Sequence, residues 1–257
     1  DAVRYAMDAD VGYMNGGGLR AAIQNGDITF NDLLSVFPFN NTVVLAEVSG
    51  QTLKDMMEMA VMSWPAEDGS FPHLSGITFS VNTAIPSSVV VNELEEFVEI
   101  SGEYRVYDIE VFDKETGKYE PLSLSKTYTL AASNYFLLEY GSGMTMLKDA
   151  KIIQNEGMLD VEALERYIVE ALGGTIGEEY AEVKNNITFT DGVIEDSTDN
   201  NNQENEENNN QENEENNNQG ENDQKQPKDT IYIVWIIVAV VGVSILIVTV
   251  IVIKKRR

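Results

Sequence analysis

The sequence predicts an α+β fold in which mixed β-sheets are covered by helices, followed by a disordered linker and one transmembrane helix. Three observations lead to this prediction. In residues 1–195, β-branched apolar runs alternate with two amphipathic helical patterns, as in a domain with its own core. Residues 196–230 contain almost no apolar side chain. In residues 231–253 almost every side chain is apolar.

The charge of the chain restricts its partners. The 257 residues carry a formal net charge of −26, and residues 1–195 contain 32 acidic and 11 basic side chains. Such a field repels nucleic-acid phosphates, so a nucleic-acid polymer is not an expected partner, and a nucleotide would need local cations. The chain has no cysteine, which excludes disulfides, thiolate zinc sites and cysteine nucleophiles.

The first elements are marked by a cap and by apolar periodicity. Thr29, with Asp32 three residues later, has the spacing of a capping box and predicts a helix to about Phe37. Residues 42–48 are β-branched and apolar, which predicts a buried strand. Residues 50–63 follow as a helix with one apolar face. That face consists of Leu53, Met56, Met57, Ala60 and Val61.

The second half of the domain repeats these signals. Strands are predicted at 76–82, 104–113 and 126–133, and a helix is predicted at 160–172. The polar, turn-forming residues 113–118 indicate a hairpin-like connection. Residues 186–190 would supply a closing strand.

The C-terminal part is predicted to be a tether, an anchor and a tail. Residues 196–230 include an eight-residue Asn/Gln/Glu repeat that cannot bury apolar surface, which predicts a disordered acidic linker. Residues 231–253 carry no charge and would span about 34 Å as a helix, enough to cross a bilayer. The basic residues 254–257 place the C-terminus in the cytoplasm and the folded domain outside a cell membrane, in a single-pass topology.

One glycine-rich segment, NGGGLR at residues 15–20, suggests an anion site. The run of glycines allows close backbone approach, and the LRAAI run that follows is expected to begin a helix whose N-terminus would attract anions. Arg20 has two interpretations from sequence alone, a structural ion pair or a bidentate contact to a phosphate or carboxylate.

Two further segments join aromatic rings to small polar residues. They are FPFNN at 37–41 and SNYFLLEYGSG at 133–143. An aromatic ring beside Asn amides suits a purine or pyrimidine base, through stacking and edge hydrogen bonds. The alternative for each segment is a core phenylalanine beside a turn.

Taken together, these motifs resemble the C-terminal, substrate-binding domain of the 5'-nucleotidase family. The motifs occur in the order NGGGLR, GDITFND, PFNN, SGQTLK, DGSFPHLSGI, YRVYDIEVF and PLSLSKTYTLAASNYF, and they extend over about residues 10–190. The resemblance implies an α+β domain that recognises the base and sugar of a nucleotide or nucleotide sugar, within a phosphoester hydrolase of nucleotide catabolism.

The resemblance also implies roles for individual residues. Asn15 and Arg20 match the family residues that contact the nucleotide, and Phe39 and Phe136 match the aromatic pair that holds the base between its rings. The remaining implied contacts are Asn41 and Gly69 near the base, and Ser142 near the ribose. Ser142 stands where the family usually has an aspartate, and Tyr140 where it has a glycine, so this turn lacks the charged acceptor that the family offers to the ribose hydroxyls.

The family's two divalent metals belong to an N-terminal metallophosphatase domain. With His73 as its one histidine, this chain is expected to hold neither a metal nor a catalytic residue, and His73 is expected in a loop. Because the sequence starts at Asp1 without a signal peptide, an upstream catalytic domain is expected to be absent from it. The second hypothesis is a non-catalytic surface module for nucleotide binding or adhesion.

Overall fold

The computed structural model describes residues 1–191. Their five α-helices are α1 (Ala2–Ala6), α2 (Phe30–Val36), α3 (Gly50–Ala60), α4 (Asn134–Leu137) and α5 (Asp160–Arg166). Their eleven strands are β1 (Val11–Asn15), β2 (Val43–Ser49), β3 (Pro72–Ser75), β4 (Ile77–Asn82), β5 (Val89–Val91), β6 (Phe97–Ile100), β7 (Val106–Asp113), β8 (Lys118–Pro121), β9 (Thr127–Ser133), β10 (Lys151–Gln154) and β11 (Ile187–Thr190).

The strands form three sheets. The five-stranded sheet has the order β10-β2-β9-β1-β3, and the four-stranded sheet has the order β11-β4-β7-β8. Strands β5 and β6 form a separate two-stranded sheet. Parallel pairing occurs between β1 and β9 and between β11 and β4, and the remaining neighbours are antiparallel. The predicted mixed sheets are therefore confirmed.

The central strands of the five-stranded sheet, β2, β9 and β1, are buried on both faces. Alternate side chains of a strand point to opposite sides and so enter two different cores. In β1, Val11 and Tyr13 pack with α3, β4 and β7 in one core cluster. Met14 of the same strand packs in a second cluster with Val3 of α1 and Val161 of α5, next to α2. The sheet thus forms a middle layer.

Several predicted elements are confirmed. Helix α2 has Thr29 as its N-cap, and both hydrogen bonds of the capping box with Asp32 are present. The apolar stripe of α3 is buried in the first core cluster. The polar residues 113–118 connect β7 to β8 as a hairpin. The helix predicted at 160–172 is α5, which continues as a π-helical turn over Tyr167–Ala171.

Residues 192–195, the linker, the transmembrane helix and the basic tail lie outside the described residues. Within residues 1–191, no helix combines the length and the apolar composition that crossing a membrane requires.

Candidate functional site

The chain topology brings the candidate segments to one edge of the five-stranded sheet. Because β1 and β9 are parallel, both end at this edge, where Asn15 and Ser133 are their last residues. Strands β2 and β3 run antiparallel to them and begin at the same edge, since Val43 pairs with Ser133 and Pro72 pairs with Asn15. The segments that follow or precede these strand ends are 15–20, 39–41, 69 and 133–143.

The glycine segment is held against residue 69. Asn15 Nδ2 donates a hydrogen bond to the carbonyl of Gly69 over 3.0 Å, and the amide of Gly17 donates to the same carbonyl over 2.9 Å. A Cβ on Gly17 would lie 3.2 Å from the Gly69 Cα, so the two backbones are in close contact. The structure therefore brings together Asn15 and Gly69, two predicted site residues.

The predicted helix after the glycines is wrong. Gly16–Gly18 form one 3-10 turn, Leu19 is extended, and α2 begins at Phe30 after an irregular segment. The five-residue run LRAAI lies between three glycines and Gln24-Asn25-Gly26, and it is too short to offset the cost of helix nucleation. The expected anion site at a helix N-terminus is therefore not formed at this segment.

Arg20 lies beside Phe39 at the edge. Its Nη1 donates a hydrogen bond to the carbonyl of Gly17 over 3.2 Å, and its Cζ lies 5.9 Å from the centre of the Phe39 ring. Phe39 is 56% exposed. Among the ion pairs of residues 1–191 none includes Arg20, so the ion-pair interpretation is not what the structure shows. An exposed ring and a guanidinium are presented together to solvent.

The loop that carries Phe39 and Asn41 is tied to the loop after β9. The Thr42 carbonyl accepts the amide of Asn134 over 2.8 Å, and the Thr42 amide donates to Asn134 Oδ1 over 2.8 Å. Asn41 is half-buried, and its carbonyl accepts the amide of Asp160 over 2.9 Å. These bonds fix the two candidate loops side by side.

Phe136 does not face Phe39 across an open slot. Its ring is 0% exposed and contacts Tyr13 and Tyr135 edge-on, with ring centres 4.9 Å and 5.3 Å away. The single turn of α4 directs Phe136 into the core cluster beneath the sheet edge. The expected slot between two exposed rings is thus corrected, and for Phe136 the core interpretation is confirmed.

Ser142 lies in a left-handed turn. Tyr140 has φ 54° and Ser142 has φ 55°, a region that residues other than glycine seldom adopt. Tyr135, which the sequence analysis missed as a site residue, holds this turn: its hydroxyl accepts the Ser142 amide over 3.0 Å, and a Cβ on Gly141 would collide with its ring. Concentrated backbone strain of this kind is typical of functional sites.

His73 is on β3, opposite Met14, and not in a loop as predicted. Its Nε2 is 3.6 Å from where a Cβ on Gly16 would lie. Burial lowers the pKa of His73 and favours its neutral form. With Met14 and Leu19, His73 lines an apolar cavity of about 390 Å³.

Asp160 is the buried ionisable group behind the loop of Asn41. It is 1% exposed, its Oδ1 accepts the Val161 amide over 2.8 Å, and its Oδ2 has no hydrogen-bond partner among the described residues. Burial raises the pKa of Asp160 to about 6. In residues 1–191, no group of three or more histidine, aspartate or glutamate side chains is arranged to hold a metal ion.

Comparison with known proteins gives one consistent family. A family model described as "5'-nucleotidase, C-terminal domain" matches residues 1–149. An apyrase from Tabanus yao is 30% identical over 188 residues, which cover 68% of this chain and 30% of that protein. A 5'-nucleotidase from Bos taurus is 32% identical over 160 residues, which cover 60% of this chain and 25% of that protein.

Solved structures agree. A 5'-nucleotidase precursor from Thermus thermophilus superimposes with a TM-score of 0.59 and 26% identity, over 74% of this chain and 33% of that one. An NAD nucleotidase from Haemophilus influenzae shares the fold, with a TM-score of 0.57 and 21% identity, over 74% of this chain and 32% of that one. The chain therefore spans 25% to 33% of the length of these four proteins.

Proposed function

Because this chain belongs to the family of 5'-nucleotidase C-terminal domains, we propose that it is the part of a phosphoester hydrolase that recognises the base and sugar of a nucleotide or nucleotide sugar. The hydrolysis itself is assigned to a metallophosphatase domain that precedes this one in the whole enzyme and binds two divalent metals. This chain holds the part of the substrate remote from the reaction, which orients the phosphate and lowers the entropic cost of reaching the transition state.

The observation that carries the proposal is the exposed Phe39 ring beside Arg20, at the edge where the candidate segments meet. A flat base can stack on the ring, and the guanidinium supplies the local cation that an acidic protein needs to hold an anion. Asn15, Asn41 and Gly69 shape this edge, and Ser142 offers a hydroxyl from the neighbouring turn.

Phe136 contributes from below in this proposal. Its ring supports Tyr135, which in turn holds the turn of Ser142. The base therefore stacks on Phe39, and Phe136 keeps the opposite loop in place.

The test is calorimetric titration of the full chain in detergent micelles with AMP, adenosine and a uridine diphosphate sugar. We expect binding to at least one of them, and we expect Phe39→Ala to weaken it about tenfold or more, the effect of losing roughly 1.4 kcal/mol of stacking. Phe30→Ala is the matched control, because Phe30 is 47% exposed at the start of α2 and lines a cavity with Glu165 and Ile168 that includes neither Arg20 nor Phe39.

Two results would contradict the proposal. One is the absence of binding to all three ligands by the unmodified chain. The other is equal loss of affinity in the Phe39→Ala and Phe30→Ala variants, since a site at the sheet edge requires the first ring only.

The enclosed ring of Phe136 favours a second candidate function, a non-catalytic surface module for nucleotide binding or adhesion. Such a module needs no pair of aromatic rings around a base. It also needs no acidic residue for the ribose, and this chain has Ser142 where the family usually has an aspartate. A pure adhesin binds none of the three ligands, so the same titration separates adhesion from nucleotide recognition.

We also propose that the domain is held outside a cell membrane. The support is the uncharged apolar stretch of residues 231–253 between the polar residues 196–230 and the basic residues 254–257. In this arrangement the linker lets the domain reach substrates away from the surface.

A further inference from the structure

The hairpin of β5 and β6 has a rigid tip. Asn92 Oδ1 accepts the amides of Leu94 and Glu96, both over 2.9 Å, and the Asn92 amide donates to the Glu96 carbonyl over 2.9 Å. Glu95, in the tip formed by residues 92–96, has φ 60°. These bonds fix the tip in one conformation, although the hairpin pairs with neither larger sheet.

This tip is docked on the turn that contains Ser142. A Cβ on Gly143 would collide with the backbone carbonyl of Glu95, so the two backbones are in direct contact. Thr145 Oγ1 donates a hydrogen bond to the Phe97 carbonyl over 2.7 Å, which anchors the second strand of the hairpin to the same segment. The hairpin therefore packs against the segment that carries Ser142.

The carboxylates of Glu95 and Glu96 at the tip differ in their hydrogen bonding. The carboxylate of Glu96 accepts Asn92 Nδ2 over 2.9 Å, whereas Glu95 is exposed and its carboxylate makes no hydrogen bond to any of residues 1–191. Gly143, which contacts Glu95, directly follows Ser142, and the turn of residues 140–143 has no acidic side chain. A carboxylate that accepts and a hydroxyl that can do both match two neighbouring hydroxyl groups.

We propose that Glu95 is a specificity-determining residue of this site, and that its carboxylate accepts hydrogen bonds from the sugar hydroxyls of the bound ligand. The inference rests on the proposed function and deepens it, because it selects ribonucleosides and ribonucleotides over their deoxy forms. The acidic acceptor comes from the hairpin and not from the turn that follows α4.

The test compares adenosine with 2',3'-dideoxyadenosine by calorimetric titration of the full chain in detergent micelles. We expect the unmodified chain to prefer adenosine by about tenfold or more, as for a hydrogen bond to a charged group. In Glu95→Gln the preference should fall below about threefold. Glu93→Gln removes the same charge from the same tip and should keep the preference.

The outcomes separate the two claims. If the unmodified chain binds neither nucleoside nor any nucleotide, the proposed function and this inference are both overturned. If it binds both nucleosides equally, or if Glu95→Gln keeps the preference, only the inference is overturned. The same holds if Glu93→Gln loses the preference as Glu95→Gln does, because the effect would then come from general charge.

Discussion

At the scale of single residues, two phenylalanines of similar sequence context have opposite environments. Phe39 follows Pro38 in a loop before β2 and is exposed, whereas Phe136 lies on a helical turn directly after β9 and is enclosed by Tyr13 and Tyr135. Which side of a strand end a ring takes depends on the backbone direction at that point. The sequence motif alone does not indicate this backbone direction.

Asp160 gives a residue-scale prediction about pH. Because burial raises its pKa to about 6, the protonated form is favoured by folding, and this contribution is fully present below the ordinary value of 3.8 and is lost as the pH rises through about 6. The free energy of unfolding of the unmodified protein should therefore fall by about 2 kcal/mol between pH 4 and pH 7. We expect Asp160→Asn to abolish this fall.

The measurement is urea unfolding of both proteins across that pH range. Asn keeps an Oδ1 for the Val161 amide and removes the unpartnered charge. Asp149→Asn, at an exposed position, is the control and should leave the pH dependence as it is. Parallel curves for the unmodified chain and Asp160→Asn would contradict the prediction.

At the scale of elements, helices and strands that carry a capping box or a periodic apolar pattern could be predicted from the sequence. The capping box of α2, the apolar stripe of α3 and strand β9 depend on neighbouring residues and are found where the pattern indicates. Local signals are sufficient here because the residues that determine each helix or strand also form its buried face.

Element-scale predictions failed where a partner distant in sequence decides the structure. LRAAI consists of helix-forming residues but is too short to form a helix by itself, and its backbone is held instead by a hydrogen bond from the Arg20 amide to the Val36 carbonyl at the end of α2. His73 was expected in a loop, but pairing with Met14 makes it part of a strand. In the candidate site, Asn15, Gly69, Arg20 and Phe39 could be linked from motifs, whereas Tyr135 and Glu95 required coordinates.

The cap of α2 gives the element-scale prediction. Thr29 Oγ1 accepts the Asp32 amide, and the Thr29 amide donates to Asp32 Oδ2 over 2.8 Å. We expect Thr29→Ala to lower the free energy of unfolding by about 1 kcal/mol, measured by urea titration. Thr29→Ser retains the hydroxyl and should stay close to the unmodified protein. Equal losses in both variants would mean that the threonine methyl group, and not the cap, is responsible.

At the scale of the whole molecule, the chain divides into a unit of residues Asp1–Ser197 and a unit of residues Thr198–Arg257. The family resemblance and the candidate site lie within the first unit. The acidic repeat and the apolar stretch lie within the second. The proposed recognition site and the proposed membrane anchor thus lie in separate parts of the sequence.

This division gives the whole-molecule prediction. When the chain is exported behind a cleavable signal sequence, we expect it to stay with the membrane after alkaline carbonate washing, because about 20 apolar residues suffice to span a bilayer. Deletion of residues 231–257 should move it to the soluble fraction. Deletion of the repeat, residues 200–223, is the control of similar size and should leave it membrane-bound. Carbonate-soluble full-length chain would refute membrane anchoring.

The pairing of β1 with β9 has a consequence for how this domain is made. Asp10 and Thr129, which hydrogen-bond next to that pairing, are 119 positions apart in the chain. Contacts this distant in sequence slow folding, because a long loop must close before any of them can form. During synthesis, the edge that carries the candidate site can therefore form only after β9 has been made, well after its glycine segment.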